Sequence, residues 1–262
     1  MKHSITGPVR IVMLGAGGTG SYVAMHLYRL LHCLTAPHEG SGARRVRIII
    51  ADGDSVEDKN LVRQHFTGAD LGVNKAQALA ERYAAAFKMQ AEYIPDFIED
   101  KGRLLELVRP INTAGNSYTP EECKEMVILL GCVDNNKSRR LCNEAFYECS
   151  DLIYIDAGNG EHSGQVVCGV RRNGRTLSKP IGGVYPDILE ETDKFPTELS
   201  CAEASISAPQ TIAANTMAAA LVVDLLHNIL VLGENKVKSV SFSTKTMHVL
   251  PVMESGRKRK AA

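Results

Sequence analysis

Polar side chains of different chemistry crowd the stretch ADGDSVEDKNLVRQHF, which follows the apolar run VRIII. Asp52 stands where that run ends. A carboxylate after the second strand of a nucleotide-binding α/β fold can accept hydrogen bonds from the hydroxyls of a ribose. Such a ribose acid leaves Asn60, Arg63 and Gln64 unexplained, although all three follow shortly after it. The stretch therefore predicts a bound nucleotide whose recognition extends beyond its ribose.

A glycine-rich segment, LGAGGTGS, lies upstream of this stretch. It contains the pattern G-x-G-x-x-G at Gly15, Gly17 and Gly20, and Gly18 is an additional glycine. A predicted strand precedes the pattern and a predicted helix follows it. Glycines there permit a tight turn and a close approach of phosphate, and the helix N-terminus presents unpaired N–H donors. The pattern predicts a nucleotide site but does not distinguish NAD, FAD and ATP.

Strand and helix patterns alternate over the first part of the chain. The predicted strands are Val9–Leu14, Val46–Asp52, Gln90–Ile94, Met126–Asp134 and Leu152–Gly158. The predicted helices are Gly18–Leu34, Asn74–Lys88 and Lys137–Cys149, and a further helix is an option in DKGRLLELVRP. Gly164–Val170 has the β-branched content of a strand that runs antiparallel. This order predicts a doubly wound, mostly parallel sheet of the Rossmann type with helices on both faces.

The C-terminal part is predicted to extend the same domain. We expect one domain over residues 1–262, with a nucleotide-binding core at 9–170 and a crossover loop without regular structure at 171–204. A long apolar helix at Ile206–Leu232 is interrupted by polar residues, which favours a buried helix over a membrane span. Strands at Val237–Ser243 and Met247–Val252 then form a short antiparallel extension.

Composition restricts the function further. The chain of 262 residues is 44% hydrophobic, and its 30 basic and 30 acidic residues balance. Zero net charge favours neither nucleic acid nor an anionic membrane as a partner. The seven cysteines are scattered and form no CxxC pair, which argues against a disulfide framework and against zinc. The N-terminus shows no signal peptide, so we expect a cytoplasmic protein.

Five segments together resemble the ThiF/MoeB/ubiquitin-activating superfamily. The stretch DGDSVEDKNLVRQ is similar to the family signature D-x-D-x-V-x-x-x-N-L-x-R-Q. The other four are similar in the same order along the chain, namely GAGGTG, LGVNKAQAL, CVDNNKSRR and CAEASISAPQTIAANTMAAALVVDLL. They span Val9 to about Leu226, and the bacterial ThiF-like proteins of PRTRC systems are the subgroup that we expect. The resemblance implies ATP- and Mg²⁺-dependent adenylation of the C-terminal carboxylate of a small ubiquitin-like, β-grasp protein.

The resemblance also assigns roles to individual residues. Asp52 holds the ribose, whereas Asp54 and Asp134 are the acids near magnesium. The glycine loop and Asn135 lie against the nucleotide, and the residues implied to face the triphosphate are Asn60, Arg63, Gln64 and Lys75. Cations around the phosphates would offset the charge of a carboxylate that attacks the α-phosphate while pyrophosphate leaves. No general base is required for this reaction.

Simpler interpretations of these residues stay open. Arg63 could pair with Asp58 at the surface, and Lys75 could be an exposed lysine at a helix start. Asp134 and Asn135 are residue types that favour a helix cap. The family arginine that follows the D-N pair could be Arg140 or its neighbour.

The sequence departs from the family at several points. The paired cysteines that bind structural zinc in many relatives are missing, so we predict no zinc. An N-terminal arginine that some dimeric relatives donate to the partner's active site is missing as well. CAEAS replaces the family's C-x-E-A-G, with Ser205 in place of glycine. Cys201 is the best candidate for a thiol that accepts the activated acyl group, but a packing or crossover-loop role is equally open because no base or cation adjoins it.

Two other functions compete with adenylation. An NAD-dependent oxidoreductase would account for the glycine loop and Asp52, but it would leave Asn60, Arg63, Lys75 and Asp134 without a purpose. A non-catalytic, partner-binding subunit that keeps the fold is the second alternative. The family also implies a homodimer.

Overall fold

A single mixed sheet organises the chain. The computed structural model describes residues 7–35, 45–111, 125–190, 193–199 and 210–254. The sheet they form has the strand order β3-β2-β1-β4-β5-β6-β8-β9, and β7 pairs with β6. The strands are β1 (Val9–Leu14), β2 (Val46–Ala51), β3 (Tyr93–Ile94), β4 (Met126–Gly131), β5 (Leu152–Asn159), β6 (Ser163–Arg172), β7 (Arg175–Ser178), β8 (Val237–Ser243) and β9 (His248–Met253). The predicted fold class is confirmed.

The first five strands are parallel, and β1 lies at the point where their order reverses. β1 pairs with β2 on one side and with β4 on the other. Leu14 stands opposite Ala51 and Gly131, so the carboxyl ends of these three strands are level. Ligands of open α/β sheets bind in the crevice at such a reversal point, outside the carboxyl ends of the strands. The fold therefore places a ligand crevice where β1 and β4 end.

The remaining strands form an antiparallel extension. β6 pairs antiparallel with β5, β7 and β8, and β8 pairs with β9 at the end of the sheet. All six residues of β9 are exposed, and its Pro251 faces Val240 of β8. The predicted strand at Val237–Ser243 is confirmed with its bounds, and the last strand begins one residue later than predicted.

Helices cover both faces of the sheet. They are α1 (Gly18–Thr35), α2 (Lys75–Phe87), α3 (Lys101–Val108), α4 (Asn136–Glu148), α5 (Ile181–Val184) and α6 (Ile212–Leu230). Successive side chains of β1 point to opposite faces of the sheet and pack into two separate hydrophobic cores. Ile11 and Met13 pack with α1, α2 and α6, whereas Val12 and Leu14 pack with α3, α4 and α5. The strands are thus buried on both faces, which is typical of doubly wound sheets.

Helix α6 is apolar enough to cross a bilayer by length and composition. Its most apolar window has a mean hydropathy of 1.4, and 44% of that window is buried in this chain. α6 packs against α1, β5 and β6, and Asn215, inside the helix, is fully buried in a hydrogen-bonded network. These contacts are those of a core helix, which agrees with the expectation of a buried helix.

The prediction of a loop without regular structure over 171–204 is wrong for part of that segment. β7 and α5 lie within it, and single 3₁₀ turns occur at Pro186–Leu189 and Pro196–Glu198. β6 and β7 are joined by Asn173 and Gly174, whose φ angles are +48° and +71°. Asn-Gly with positive φ at both positions is the preferred two-residue hairpin turn. The dipeptide NG is therefore a hairpin signal within the segment that was predicted to be a loop.

Candidate active site

Three glycines of the loop after β1 have different steric reasons to lack a side chain. Gly15 has a φ of +91°, and a Cβ there would overlap the carbonyl group of Cys132 after β4. A Cβ on Gly20 would overlap the carbonyl oxygen of Gly15, so this glycine lets α1 start directly against the loop. Around Gly17 the nearest atom to an added Cβ is Nε2 of Gln64, at 3.9 Å. A Cβ on Gly17 would thus meet only this one side-chain atom, at ordinary van der Waals distance, which leaves room for a ligand phosphate to approach the backbone.

The carboxylate of Asp52 is fixed by the backbone on both of its oxygens. Oδ2 accepts a hydrogen bond of 2.6 Å from the amide of Ala16 in the glycine loop, and Oδ1 accepts one of 2.9 Å from the amide of Asp54. The side chain is buried. Burial raises the pKa of Asp52 to about 6, although the Lys75 ammonium opposes that shift. The arrangement ties the predicted ribose acid directly to the predicted phosphate loop.

This pKa predicts a specific pH dependence of stability in the absence of nucleotide. The pKa of Asp52 is higher in the folded chain than in the unfolded chain, so its stabilising contribution is complete below about pH 4 and lost as pH rises past about 6. We expect the Asp52→Asn substitution to become less unfavourable as pH rises: its free energy of unfolding, minus that of wild type, should increase by about 2 kcal/mol between pH 4 and 7. Urea unfolding at several pH values measures this difference. A difference independent of pH would contradict the shift.

Lys75 begins α2 and is buried beside the loop that follows β2. Its Nζ lies 2.7 Å from Oδ2 of Asp54, and the exposed fractions of the two side chains are 7% and 55%. Asn74 caps α2 and donates from Nδ2 to the carbonyl oxygens of Asp52 and Asp54, at 2.8 and 3.1 Å. The suggestion of an ordinary exposed lysine is therefore wrong. The ammonium is held in the site by an acid and by the capped helix start.

The segment with Asn60, Arg63 and Gln64 lies next to the glycine loop. Arg63 donates from Nη1 to Oε1 of Gln210, over 3.1 Å. Gln64 is 6% exposed, and its Oε1 has no hydrogen-bond partner among the described residues. Burying an unpaired polar atom costs free energy, so a ligand that donates a hydrogen bond to this oxygen would remove that cost. Asn60 is buried and its Oδ1 accepts from the amide of Glu57 at 2.9 Å, so this oxygen fixes the local turn.

A chain of amide side chains connects Arg63 with the start of α1. Asn215 of α6 donates from Nδ2 to the carbonyl oxygen of Arg63, and its Oδ1 accepts from Nδ2 of Asn159 at 2.9 Å. Asn159, at the end of β5, also accepts from the hydroxyl of Thr19 at 2.6 Å. A Cβ on Gly18 would lie 2.6 Å from Nδ2 of Asn215. The additional glycine of the loop therefore makes room for the first turns of α6.

The end of β4 contributes the remaining predicted residues. Asp134 is exposed, follows Cys132 by two residues and so lies near the turn at Gly15. Asn135 is the N-cap of α4, because its side chain accepts from the amide of Ser138 at 2.8 Å. The capping interpretation is thus confirmed for Asn135. Asp134 precedes this cap and is not the capping residue.

The two arginines of α4 differ in position. Arg139 is buried and turns back beneath the end of β4, where its Nε lies 3.3 Å from Oδ1 of Asp156. Arg140 instead points away, with Nη1 at 3.4 Å from the carbonyl oxygen of Leu189. Of the two, Arg139 is the one that contacts the residues at the end of β4.

Cys201 lies outside the described residues, so its predicted role is untested. Among the cysteines that the structure does describe, burial raises the pKa of Cys132, Cys142 and Cys168 to about 12. A thiol with such a pKa is protonated at neutral pH and is a poor nucleophile. No group of three or more His, Cys, Asp or Glu that could hold a metal is found in the described part of the chain.

Several residues of the site were missed from the sequence. They come together only through the topology, and they are Thr19, Asn74, Asp156, Asn159, Gln210 and Asn215. Asn74 had a usable signal, since asparagine before a helix start predicts an N-cap. The amides at the end of β5 and the start of α6 had none, because isolated asparagine and glutamine residues carry no pattern.

The fold and the site define a Rossmann-type nucleotide-binding protein. A glycine loop leads from β1 into α1, an acid follows β2, and the crevice lies at the reversal point of the sheet. The chain belongs to the ThiF family, whose family model matches residues 7–261. The family predicted from the five segments is confirmed.

Solved structures with the same fold share little sequence identity. They include PaaA, with a TM-score of 0.60 and 17% identity, and E. coli MccB with ATP, with a TM-score of 0.61 and 17% identity. The microcin C7 biosynthetic enzyme MccB in complex with N-formylated MccA gives a TM-score of 0.62 at 17% identity. The matches cover 94%, 97% and 97% of this chain but only 64%, 65% and 66% of those chains. No curated protein sequence matches this chain.

Proposed function

We propose that the protein uses ATP to adenylate a carboxylate of a small protein or peptide, with release of pyrophosphate. One observation carries this proposal. Beyond the ribose acid, the crevice holds two cations in fixed positions, Lys75 on Asp54 and Arg63 on Gln210. A dinucleotide pyrophosphate needs the glycine loop and the helix N-terminus, whereas a triphosphate under attack by a carboxylate needs additional positive charge. Membership of the ThiF family and the ATP-bound structure of MccB support the same choice.

Each residue has a defined task in this reaction. Asp52 accepts from the ribose, and the backbone at Gly17 receives the phosphates. A carboxylate oxygen of the substrate forms a bond to the α-phosphorus while the bond to the bridging oxygen of pyrophosphate breaks. Arg63 and Lys75 offset the negative charge that accumulates on the phosphate oxygens. Because the substrate carboxylate carries no proton, no side chain has to act as a base.

Magnesium fits the donors that the chain offers. Mg²⁺ prefers oxygen ligands and is usually bound through one or two carboxylates together with phosphates and water. Asp134 is exposed at the crevice, and it makes no hydrogen bond or ion pair with the described residues. Asp54 is exposed as well, but one of its oxygens already binds Lys75. Asp134 is therefore the principal magnesium ligand that we propose, with Asp54 in support, and the ion would neutralise phosphate charge when bound.

We further propose that the substrate is the C-terminal glycine carboxylate of a ubiquitin-like, β-grasp protein. The support is the signature DGDSVEDKNLVRQ, which is similar to that of enzymes with such substrates, and the presence of MccA in complexes of MccB. A homodimer is part of the same proposal. Exposed apolar side chains on the outer face of α6, such as Ile212, offer a surface for it, and light scattering measures the mass of the particle.

Pyrophosphate exchange into ATP tests the function. We expect exchange by the purified protein to depend on Mg²⁺ and on a β-grasp protein encoded beside it, and to require the free C-terminal carboxylate of that protein. The matched control is the same partner with its C-terminal glycine amidated or removed. Binding of NAD without binding of ATP would overturn the proposal in favour of an oxidoreductase. ATP binding without exchange, with every neighbouring β-grasp protein, would indicate a non-catalytic subunit.

The same reaction mixture tests a second step at Cys201. We propose that the adenylate is attacked by the Cys201 thiolate, which forms a thioester and releases AMP. An adduct that thiols cleave should then be seen in wild type and be missing in Cys201→Ser. An adduct that persists in this variant would exclude Cys201.

A further inference from the structure

We propose that Asp156 is a positioning residue that holds Arg139 and thereby keeps the carboxylate of Asp134 available to its ligand. The contact geometry carries this inference, and the task of Asp134 rests on the proposed function. Asp156 lies in β5 and does not face the crevice itself. It acts through a buried arginine that passes beneath the turn between β4 and α4, and we call residues 133–136 the β4–α4 turn.

Asp156 is built into the sheet next to the end of β4. The side chain is fully buried, and Oδ2 accepts a hydrogen bond of 2.6 Å from the hydroxyl of Tyr154. Gly131 of β4 stands beside it in the parallel register. A Cβ on Gly131 would lie 2.8 Å from Oδ2 of Asp156 and 3.1 Å from the Tyr154 hydroxyl. The glycine thus provides the space that this carboxylate occupies.

Arg139 connects this carboxylate to the β4–α4 turn. Its Nε lies 3.3 Å from Oδ1 of Asp156, a charge contact in which neither atom makes a hydrogen bond to a described residue. Its Nη2 donates to the carbonyl oxygen of Val133 at 2.7 Å. Nη1 donates to Oδ1 of Asn136 at 2.9 Å. Val133 and Asn136 flank Asp134 on both sides. The guanidinium is therefore bound to the turn that carries Asp134, but it is paired with Asp156 instead.

Asp156 and Arg139 face each other as a buried acid and base. Burial raises the pKa of Asp156, and the Arg139 guanidinium opposes that shift. Removing one partner of a buried ion pair leaves the other charge uncompensated. If Asp156 were removed, Asp134 would be a nearby acid for Arg139, because the guanidinium already contacts Val133 and Asn136 on either side of Asp134. Pairing with Asp134 would then compete with the ligand of that carboxylate.

The test is the magnesium requirement of ATP binding, measured by calorimetry over a series of Mg²⁺ concentrations. We expect Asp156→Asn to raise the Mg²⁺ concentration for half-maximal ATP affinity about tenfold, the size of effect seen when partners of metal ligands are removed. Asp156→Asn combined with Arg139→Gln removes the competing cation and should return the requirement towards wild type. Glu106→Gln, an exposed acid on α3, is the control and should leave it unchanged.

A purely structural role makes different predictions. It would lower the melting temperature of Asp156→Asn without moving the magnesium requirement, and the double variant would be no better than the single one. Either result overturns the proposal. If Asp156→Asn does not fold, Tyr154→Phe weakens the hold on the carboxylate and should move the requirement in the same direction by a smaller factor; an unchanged requirement there also overturns it. Because ATP binding is measured, a failure of adenylation leaves this test intact.

Discussion

Arg63→Ala is expected to lower the rate of ATP–pyrophosphate exchange by about 10²–10³, the loss measured when one donor to a developing negative charge is removed. The backbone of Arg63 is held independently of its side chain, because Asn215 donates to its carbonyl oxygen. The substitution therefore removes the guanidinium and leaves the loop in place. The melting temperature should stay close to that of wild type, and the fall should be seen in the maximal rate at saturating ATP.

Arg103→Ala is the matched control for this experiment. Arg103 lies on α3, more than half exposed, where it pairs with Glu106 one turn further on. Its removal subtracts the same charge from the chain at an exposed ion pair that includes none of the predicted site residues. A comparable loss of exchange in both variants would assign the effect to net charge. Full exchange in Arg63→Ala would remove this arginine from the mechanism.

Alanine at two glycines of the loop should separate nucleotide binding from folding. Gly17→Ala adds a methyl group that clashes with no described atom, since its nearest neighbour is Nε2 of Gln64 at 3.9 Å. We therefore expect an unchanged melting temperature but a fall in ATP affinity of about ten- to a hundredfold, as the backbone loses its contacts with phosphate. Gly20→Ala places a methyl group against the carbonyl oxygen of Gly15. It should lower the melting temperature by about 5–10 °C and weaken ATP binding as well.

Thermal unfolding and calorimetric titration with ATP measure the two quantities on the same samples. Gly68→Ala is the control, because a Cβ at Gly68 has no atom within 4 Å. An equal loss of ATP affinity in this variant would point to general effects of the substitution. If Gly17→Ala binds ATP like wild type, the phosphates do not approach the loop at this glycine.

The parallel half of the sheet was predictable because apolar runs end at glycines or acids. Val9–Leu14 was predicted with its bounds, and the helix ends at Asn74 and Lys88 differ from the structure only by the two capping residues. The third strand is shorter than predicted, since only Tyr93 and Ile94 find a partner along β2. Strand length there depends on the neighbouring strand, which a local pattern does not report.

The site was predictable where a local motif carries it. The loop glycines and Asp52 follow one another in a fixed relation to β1 and β2, and the structure joins them by a hydrogen bond. The supporting residues were not predictable, because their partners are far apart in sequence. Asn215 and Arg63 are 152 positions apart, and Asp156 meets Arg139 only after β5 pairs with β4. The roles of Asn60, Gln64 and Asp134 towards a ligand remain predictions.

The position of β9 at the end of the sheet bears on whether copies of this protein can pair edge to edge and aggregate. Among the described strands β9 pairs only with β8, and an edge strand with six exposed residues offers backbone groups to any other extended chain. Pro251 stands opposite Val240 and has no N–H, so it occupies a position whose nitrogen points away from β8, towards the free edge. A strand that pairs with β9 would therefore lack one backbone N–H donor at Pro251, in the middle of this strand. We therefore expect Pro251 to disfavour the addition of a further strand along the exposed, apolar β9.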